Sequence, residues 1–180
     1  MPHRWCLILF LILIGPSPSF GQADTLWIGG VPLELGMSKS DAMQSLNKLG
    51  RLYKLQEVSD ETLSISEGSL PTGGPPFRMA GTLVFRNGKL VAINKNWGGF
   101  GGDQAKALGK AIYSVLDTAI KEGKSIAVIQ AETFHLPGEI SLHITFHLTS
   151  GKKIFIAVPA AADKPNLTYE VSVQEVVYTK

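Results

Sequence analysis

Cysteine is nearly missing from this sequence. The single one, Cys6, lies close to the N-terminus, ahead of most of an apolar run. Everything after it therefore lacks a thiol. That excludes disulfides, a thiolate nucleophile and a Cys-ligated metal site from the remainder of the chain. Long apolar runs are missing too. The longest, from Trp5 to Ile14, has ten residues, against the roughly 18 that a membrane-crossing helix needs. A strong charge of one sign is also absent. With 17 Lys and Arg against 15 Asp and Glu, the formal net charge is +2, too small for nucleic-acid binding by bulk charge. No Gly-x-Ser-x-Gly elbow, His-Glu-x-x-His helix or phosphate-loop pattern occurs.

Apolar residues are plentiful at 44%, enough for a packed domain and too many for a disordered chain. The start of the chain has the layout of a secretory leader. Arg4 supplies the positive charge and Trp5 to Ile14 the apolar run. Gly15-Pro16-Ser17-Pro18-Ser19 breaks any helix, and Gly21-Gln22-Ala23 offers small residues before a cut. Residues 1–23 are thus expected to be a signal peptide cleaved near Ala23, giving a secreted or periplasmic protein. Cys6 sits in the wrong place to be a lipoprotein cysteine. Loss of Arg4 lowers the net charge by one, so no long-range steering toward DNA or anionic lipid is expected.

Residues 24–180 read as one secreted α+β domain with possible halves at 24–97 and 103–180. Trp27 to Leu35, interrupted by Gly29-Gly30 and Pro32, reads as an extended lead-in. Ser38 is a good helix N-cap with Asp41 three residues on. Ala42, Met43, Leu46 and Leu49 follow at helical spacing, and Gly50 is the natural stop. Strands are expected at 51–58, with Tyr53 and Leu55 on one side, and at 62–66. A Gly/Pro-rich loop fills 67–77. Asn87-Gly88 is the strongest local signal, a two-residue hairpin turn joining strands at 81–86 and 89–97. It is expected to pair Phe85 with Leu90 and Leu83 with Ala92. Gly98 to Gly102 reads as a pliable connector. Asp103 then caps a second helix with an apolar stripe of Leu108, Ala111, Ile112, Val115, Leu116 and Ala119, ended by Gly123. Strands at 125–133, 139–148, 153–158 and 167–177 complete a mainly antiparallel sheet. The order is helix, four strands, helix, four strands, which suggests duplication at the level of elements only.

The stretch Leu35-Gly36-Met37-Ser38 running into a helix, with Gly81-Thr82-Leu83-Val84-Phe85-Arg86-Asn87-Gly88-Lys89-Leu90 beyond it, resembles a known pattern. It is similar to the small domain of the outer-membrane assembly lipoproteins of the SmpA/OmlA type, whose fold is shared with the β-lactamase-inhibitor proteins. The resemblance covers residues 31–97. It implies a protein-binding module outside the cytoplasm and carries over no functional residue. The chain has no lipobox cysteine, and its second half lies beyond a single such domain.

Chemistry-bearing groups are sparse. Alternation along 139–148 puts Glu139, Ser141, His143, Thr145 and His147 on one face. The two histidines are then about 13 Å apart along the strand, too far to share one metal ion unless the strand bends. His135 and Glu132 are near in sequence and keep a surface metal or acid–base site imaginable. Gly98 to Gly102 before a helix could cradle phosphate, although Asp103 would repel an anion. Trp27, Trp97 and Phe100 could form an aromatic spot, with core packing favoured. Asp60-Glu61 reads as turn solvation, and Asn166-Leu167-Thr168 is a glycosylation sequon. No catalytic, cofactor-binding or metal-ligating residue is assigned, and no cofactor is expected. The reading is a non-catalytic protein that binds another macromolecule or an envelope component, with no nucleic-acid partner and no integral membrane span. The alternative is a small-molecule or metal binder using the polar strand face; an enzyme comes third.

Overall fold

A computed structural model describes residues 25–68, 78–136, 139–159 and 170–179. The leader and its Ala23–Asp24 junction, most of the Gly/Pro-rich loop, the Pro137-Gly138 turn, Leu167, Tyr169 and the Asn166 sequon lie outside the described residues. The elements are β1 (Thr25–Ile28), β2 (Val31–Glu34), α1 (Lys39–Leu46), β3 (Tyr53–Ser59), β4 (Thr62–Glu67), β5 (Arg78–Arg86), β6 (Lys89–Phe100), α2 (Gln104–Lys121), β7 (Ile126–Leu136), β8 (Glu139–Leu148), β9 (Lys153–Pro159) and β10 (Val171–Tyr178). The fold is α+β and mostly sheet. Eight strands form one antiparallel sheet in the order β3-β4-β5-β6-β10-β9-β8-β7. Each helix is followed by a four-strand meander. The last strand of the first meander, β6, pairs with the last strand of the second, β10.

The stretch read as an extended lead-in is a small separate hairpin, β1–β2, with Trp27 opposite Pro32. Gly29 and Gly30 both take positive φ, at 58° and 84°, the requirement of a tight two-residue turn. Ser38 caps α1 as expected, its Oγ accepting from the Asp41 amide at 3.1 Å. The helix ends at Leu46, earlier than the spacing through Leu49 predicts. Residues Asn47–Leu52 tighten into a 3₁₀ turn, with Gly50 at φ 71° marking its break.

Asn87 and Gly88 sit at φ 52° and 71°, and Phe85 pairs with Leu90 as expected. The next expected pair is corrected: Leu83 lies opposite Ile93, while Ala92 faces Val84. A bulge at Val91 causes the shift. It lets Leu90 and Ile93, three residues apart, both point into the core. A Cβ at Gly88 would meet nothing within 4 Å, so a substitution there costs backbone strain alone. Gly88→Val is expected to lower stability by about 1 kcal/mol or more, and Gly88→Asn by clearly less. Denaturant unfolding of both variants checks this.

The glycine run before α2 is not a free connector. Gly98, Gly99 and Phe100 are the end of β6, paired with Val173, Ser172 and Val171. The adjoining strand takes up backbone groups that sequence reading had left to a loop.

One face of the sheet carries the helices. Leu26, Ile28, Leu33, Ala42 and Leu46 of the hairpin and α1 bury Leu63, Ile65, Leu83, Phe85 and Ile93. α2 seats Ala107, Ala111, Val115 and Ala119 on Ile154, Ile156, Val171 and Val173. The alanines at every fourth position let the helix axis approach the strands closely. This line corrects the expected stripe. Leu108 and Ile112 flank it, half-buried, and Leu116 is 40% exposed. The alternation Val171, Val173, Glu175, Val177 is buried throughout β10 and joins the two clusters on the same face.

Candidate functional site: the helix-free face of the sheet

Among the described residues, no helix lies on the opposite face. Its composition follows from strand alternation, because each inward apolar residue leaves its neighbours outward. The ladders align one transverse row across all eight strands: Val128, His147, Lys153, Val176, Asn94, Thr82, Ser64 and Gln56. A second row runs Gln130, Thr145, Phe155, Gln174 and Asn96. A third runs Glu132, His143, Ala157 and Ser172. Amides and hydroxyls predominate, with few charges. Asn94 Nδ2 donates to Gln174 Oε1 at 3.1 Å. A depression of about 380 Å³ at the sheet centre is lined by Asn94, His143, Phe155, Ala157, Ser172, Gln174 and Val176.

The histidines are placed by the same alternation. His143 and His147 share the helix-free face with Ser141 and Thr145. His135 pairs with Ile140, one position out of phase, and so belongs to the helix-bearing face. The turn therefore does not bring His135 to the other two. His147 Nε2 donates to Gln130 Oε1 at 2.9 Å. Burial, then the Lys153 ammonium, lowers its pKa, so it stays neutral at physiological pH. His143 Nε2 and Ser141 Oγ are 3.0 Å apart, and the ring lies against Phe134 with centroids 4.4 Å apart at 38°. A hydrolytic serine also needs its histidine oriented by a third group. Among the described residues, none is bonded to the far nitrogen of His143. Among the described residues there is no cluster of three or more His, Cys, Asp or Glu suited to a metal ion.

The other candidates disperse. Asp103 caps α2 through the Lys106 amide at 3.1 Å. The Gly98 amide is held by Asn96 Oδ1 at 2.8 Å, so the glycine run offers no ready phosphate cradle. Trp27 is exposed on β1, while Trp97 and Phe100 pack against the α2 core. The Asp60 carbonyl accepts from Lys39 Nζ in the turn after β3.

One feature missed in sequence lies on the helix-bearing face. Glu175 and Lys152 are buried, at 3% and 7% exposure, and form an ion pair at 2.5 Å. Lys152 also donates to both oxygens of Glu122 at the end of α2, at 3.1 and 2.9 Å. Trp97 Nε1 donates to Glu175 Oε2 at 2.9 Å, and Lys95 approaches at 3.7 Å. Burial opposes the charge on Lys152, yet bonds to Glu175 and Glu122 outweigh it and raise its pKa. A cleft of about 420 Å³, lined in part by Gly29, Lys95, Trp97, Thr118, Glu122 and Glu175, opens beside this network. A signal was available in the alternation, since Glu175 occupies a core position between Val173 and Val177.

No helix among the described residues is long and apolar enough to cross a membrane. Comparison with protein-family models, with the curated proteins and with the solved structures finds no match to this chain.

Proposed function

We propose that this chain is a secreted or periplasmic, non-catalytic binding protein. It engages a protein or envelope component through the helix-free face of its sheet. The observation that carries the reading is the mainly polar face, left uncovered by helices among the described residues, with its central depression lined by Asn94, His143, Phe155 and Gln174. The centre of a protein interface is depleted of charged residues and enriched in aromatic ones. Phe155 and Gln174 lie at that centre, and the secretory leader supplies the compartment. On this reading the resemblance to the SmpA/OmlA and β-lactamase-inhibitor pattern stays with residues 31–97. A helix followed by four strands recurs in the second half as an order of elements only, and the two runs of strands are joined at β6 and β10.

The test is capture from an extracytoplasmic extract with the wild-type protein and with Phe155→Ala/Gln174→Ala. Both residues are partly exposed, so the double variant should fold. A specific partner retained by wild type and reduced at least tenfold by the variant is the expected result. Equal capture by both would remove the open face as the binding surface.

A further inference from the structure

The sheet has two edges of unlike character. β3, at one end, is seven residues long. It carries Lys54 and Glu57, is interrupted by a bulge between Glu57 and Ser59, and is tied to Lys39 through Glu57 at 3.1 Å. These are the devices by which natural edges resist pairing. β7, at the other end, has a bulge at Ala127, between Ile126 and Val128, and a regular ladder from Val128 onward. It runs eleven residues, from Ile126 to Leu136. All nine residues from Ala127 to His135 are exposed, and Glu132 is the one formally charged residue among them. Val128, Ile129 and Phe134 are 49%, 57% and 43% exposed. Among the described residues, β8 is the one strand paired with β7.

We propose that β7 pairs antiparallel with β7 of a second copy of this chain, joining two eight-stranded sheets across a twofold axis at Ala131. The sequence of β7 is self-complementary in that register. Val128 faces Phe134 of the second copy, and Ile129 faces Thr133. Glu132 falls opposite Gln130, so the carboxylate meets an amide. Centring the axis on Glu132 would set two carboxylates directly opposite, which is unfavourable. The Ala131 register also overlaps the regular stretch from Val128 to Phe134, about 23 Å at the usual rise. Because β3 differs from β7 in length and charge, β7-to-β3 pairing is disfavoured. The contact is then isologous and closes at two copies instead of growing into a fibre. The two helix-free faces become one surface. The inference concerns the edge and does not depend on what that face binds.

Sedimentation of the purified chain over a range of concentrations is expected to give a dimer. Ala131→Lys sets two ammonium groups against each other at the axis, yet adds only an exposed side chain to the monomer. It should yield monomer with the melting temperature that wild type shows when diluted to monomer. The register is read by cross-linking in a Cys6→Ser background. Ala131→Cys places the two α-carbons about 4.5–5.5 Å apart, within disulfide reach, and should give a covalent dimer under mild oxidation. Thr133→Cys lies about 13 Å from its own copy in that register and should not. A monomeric wild type at every concentration overturns the proposal. A dimer that survives Ala131→Lys, or cross-links equally well at both positions, overturns β7 pairing in this register. A monomer that binds an extended peptide of another protein along β7 assigns the edge to that partner and overturns self-pairing.

Discussion

Lys152→Met is expected to cost about 3–5 kcal/mol, the usual loss when one member of a buried ion pair is removed. Methionine nearly matches the volume of the lysine stem, so the cost is electrostatic. Among the described residues it leaves the Glu175 carboxylate, 3% exposed, with the Trp97 indole N–H at 2.9 Å and the half-exposed Lys95 ammonium at 3.7 Å. The partner substitution separates this cause from lost packing. Lys152→Met/Glu175→Gln removes both charges and keeps an acceptor for Trp97, so it should recover most of the loss. Denaturant unfolding of the single and double variants measures the coupling. The pH dependence of wild type follows from the raised Lys152 pKa. A lysine whose folded pKa lies above its unfolded value contributes stability that is fully present below the unfolded value. That contribution is lost as pH rises through the folded value. Wild type should therefore lose stability in the alkaline range above the usual lysine pKa, and Lys152→Met should show less of that loss. An additive double variant would show that the network is not held together by its charges.

The parts of the fold legible in sequence are those set by local chemistry. Ser38 and Asp103 cap because a short polar side chain before a helix meets unbonded amides. Asn87-Gly88 turns because both positions need positive φ. The strands at 62–67, 139–148 and 153–159 follow from alternation. What sequence reading missed depends on partners distant in the chain. Gly98-Gly99 reads as a loop until β10, more than seventy residues on, pairs with it. The bulge at Val91 is a compromise between turn geometry and the depth of Ile93, which no local pattern records. The β1–β2 hairpin was hidden by Pro32, which is tolerated because this strand has one neighbour.

The candidate site was legible in one part only. Alternation along β8 placed Ser141, His143, Thr145 and His147 together, and they do share a face. The strands beside them could not be read from β8 itself. β9 and β10 bring Phe155, Gln174 and Ser172 alongside and so make the depression. The approach of His135 to the other histidines across a turn was the alternative left open by sequence. A hairpin preserves the phase of each strand, however, and phase assigns His135 to the other face.

Phase also decides the second large effect, on α2. The sequence stripe centred on Ile112 treats Leu116 and Val115 alike. In the structure the helix is rotated so that Ala107, Ala111, Val115 and Ala119 lie against the sheet, fully buried or nearly so, while Leu116 is 40% exposed. Val115→Asp places a carboxylate among the buried apolar side chains of Ile154, Ile156 and Val173. The group must be desolvated or the helix must lift, and either costs several kcal/mol. The variant is expected to unfold at markedly lower denaturant or fail to accumulate folded. Leu116→Asp, one residue on, stays in contact with water and should cost about 0.5–1 kcal/mol, mainly through lost apolar contact. Circular dichroism melts of the two variants side by side give the answer. The contrast tests the rotation itself, since both add the same charge to α2 and intrinsic helix propensity falls more for Leu116→Asp, against the expected order. Equal destabilisation by the two would restore the broader stripe. A well-folded Val115→Asp would mean that α2 is not seated on β9 and β10 in solution.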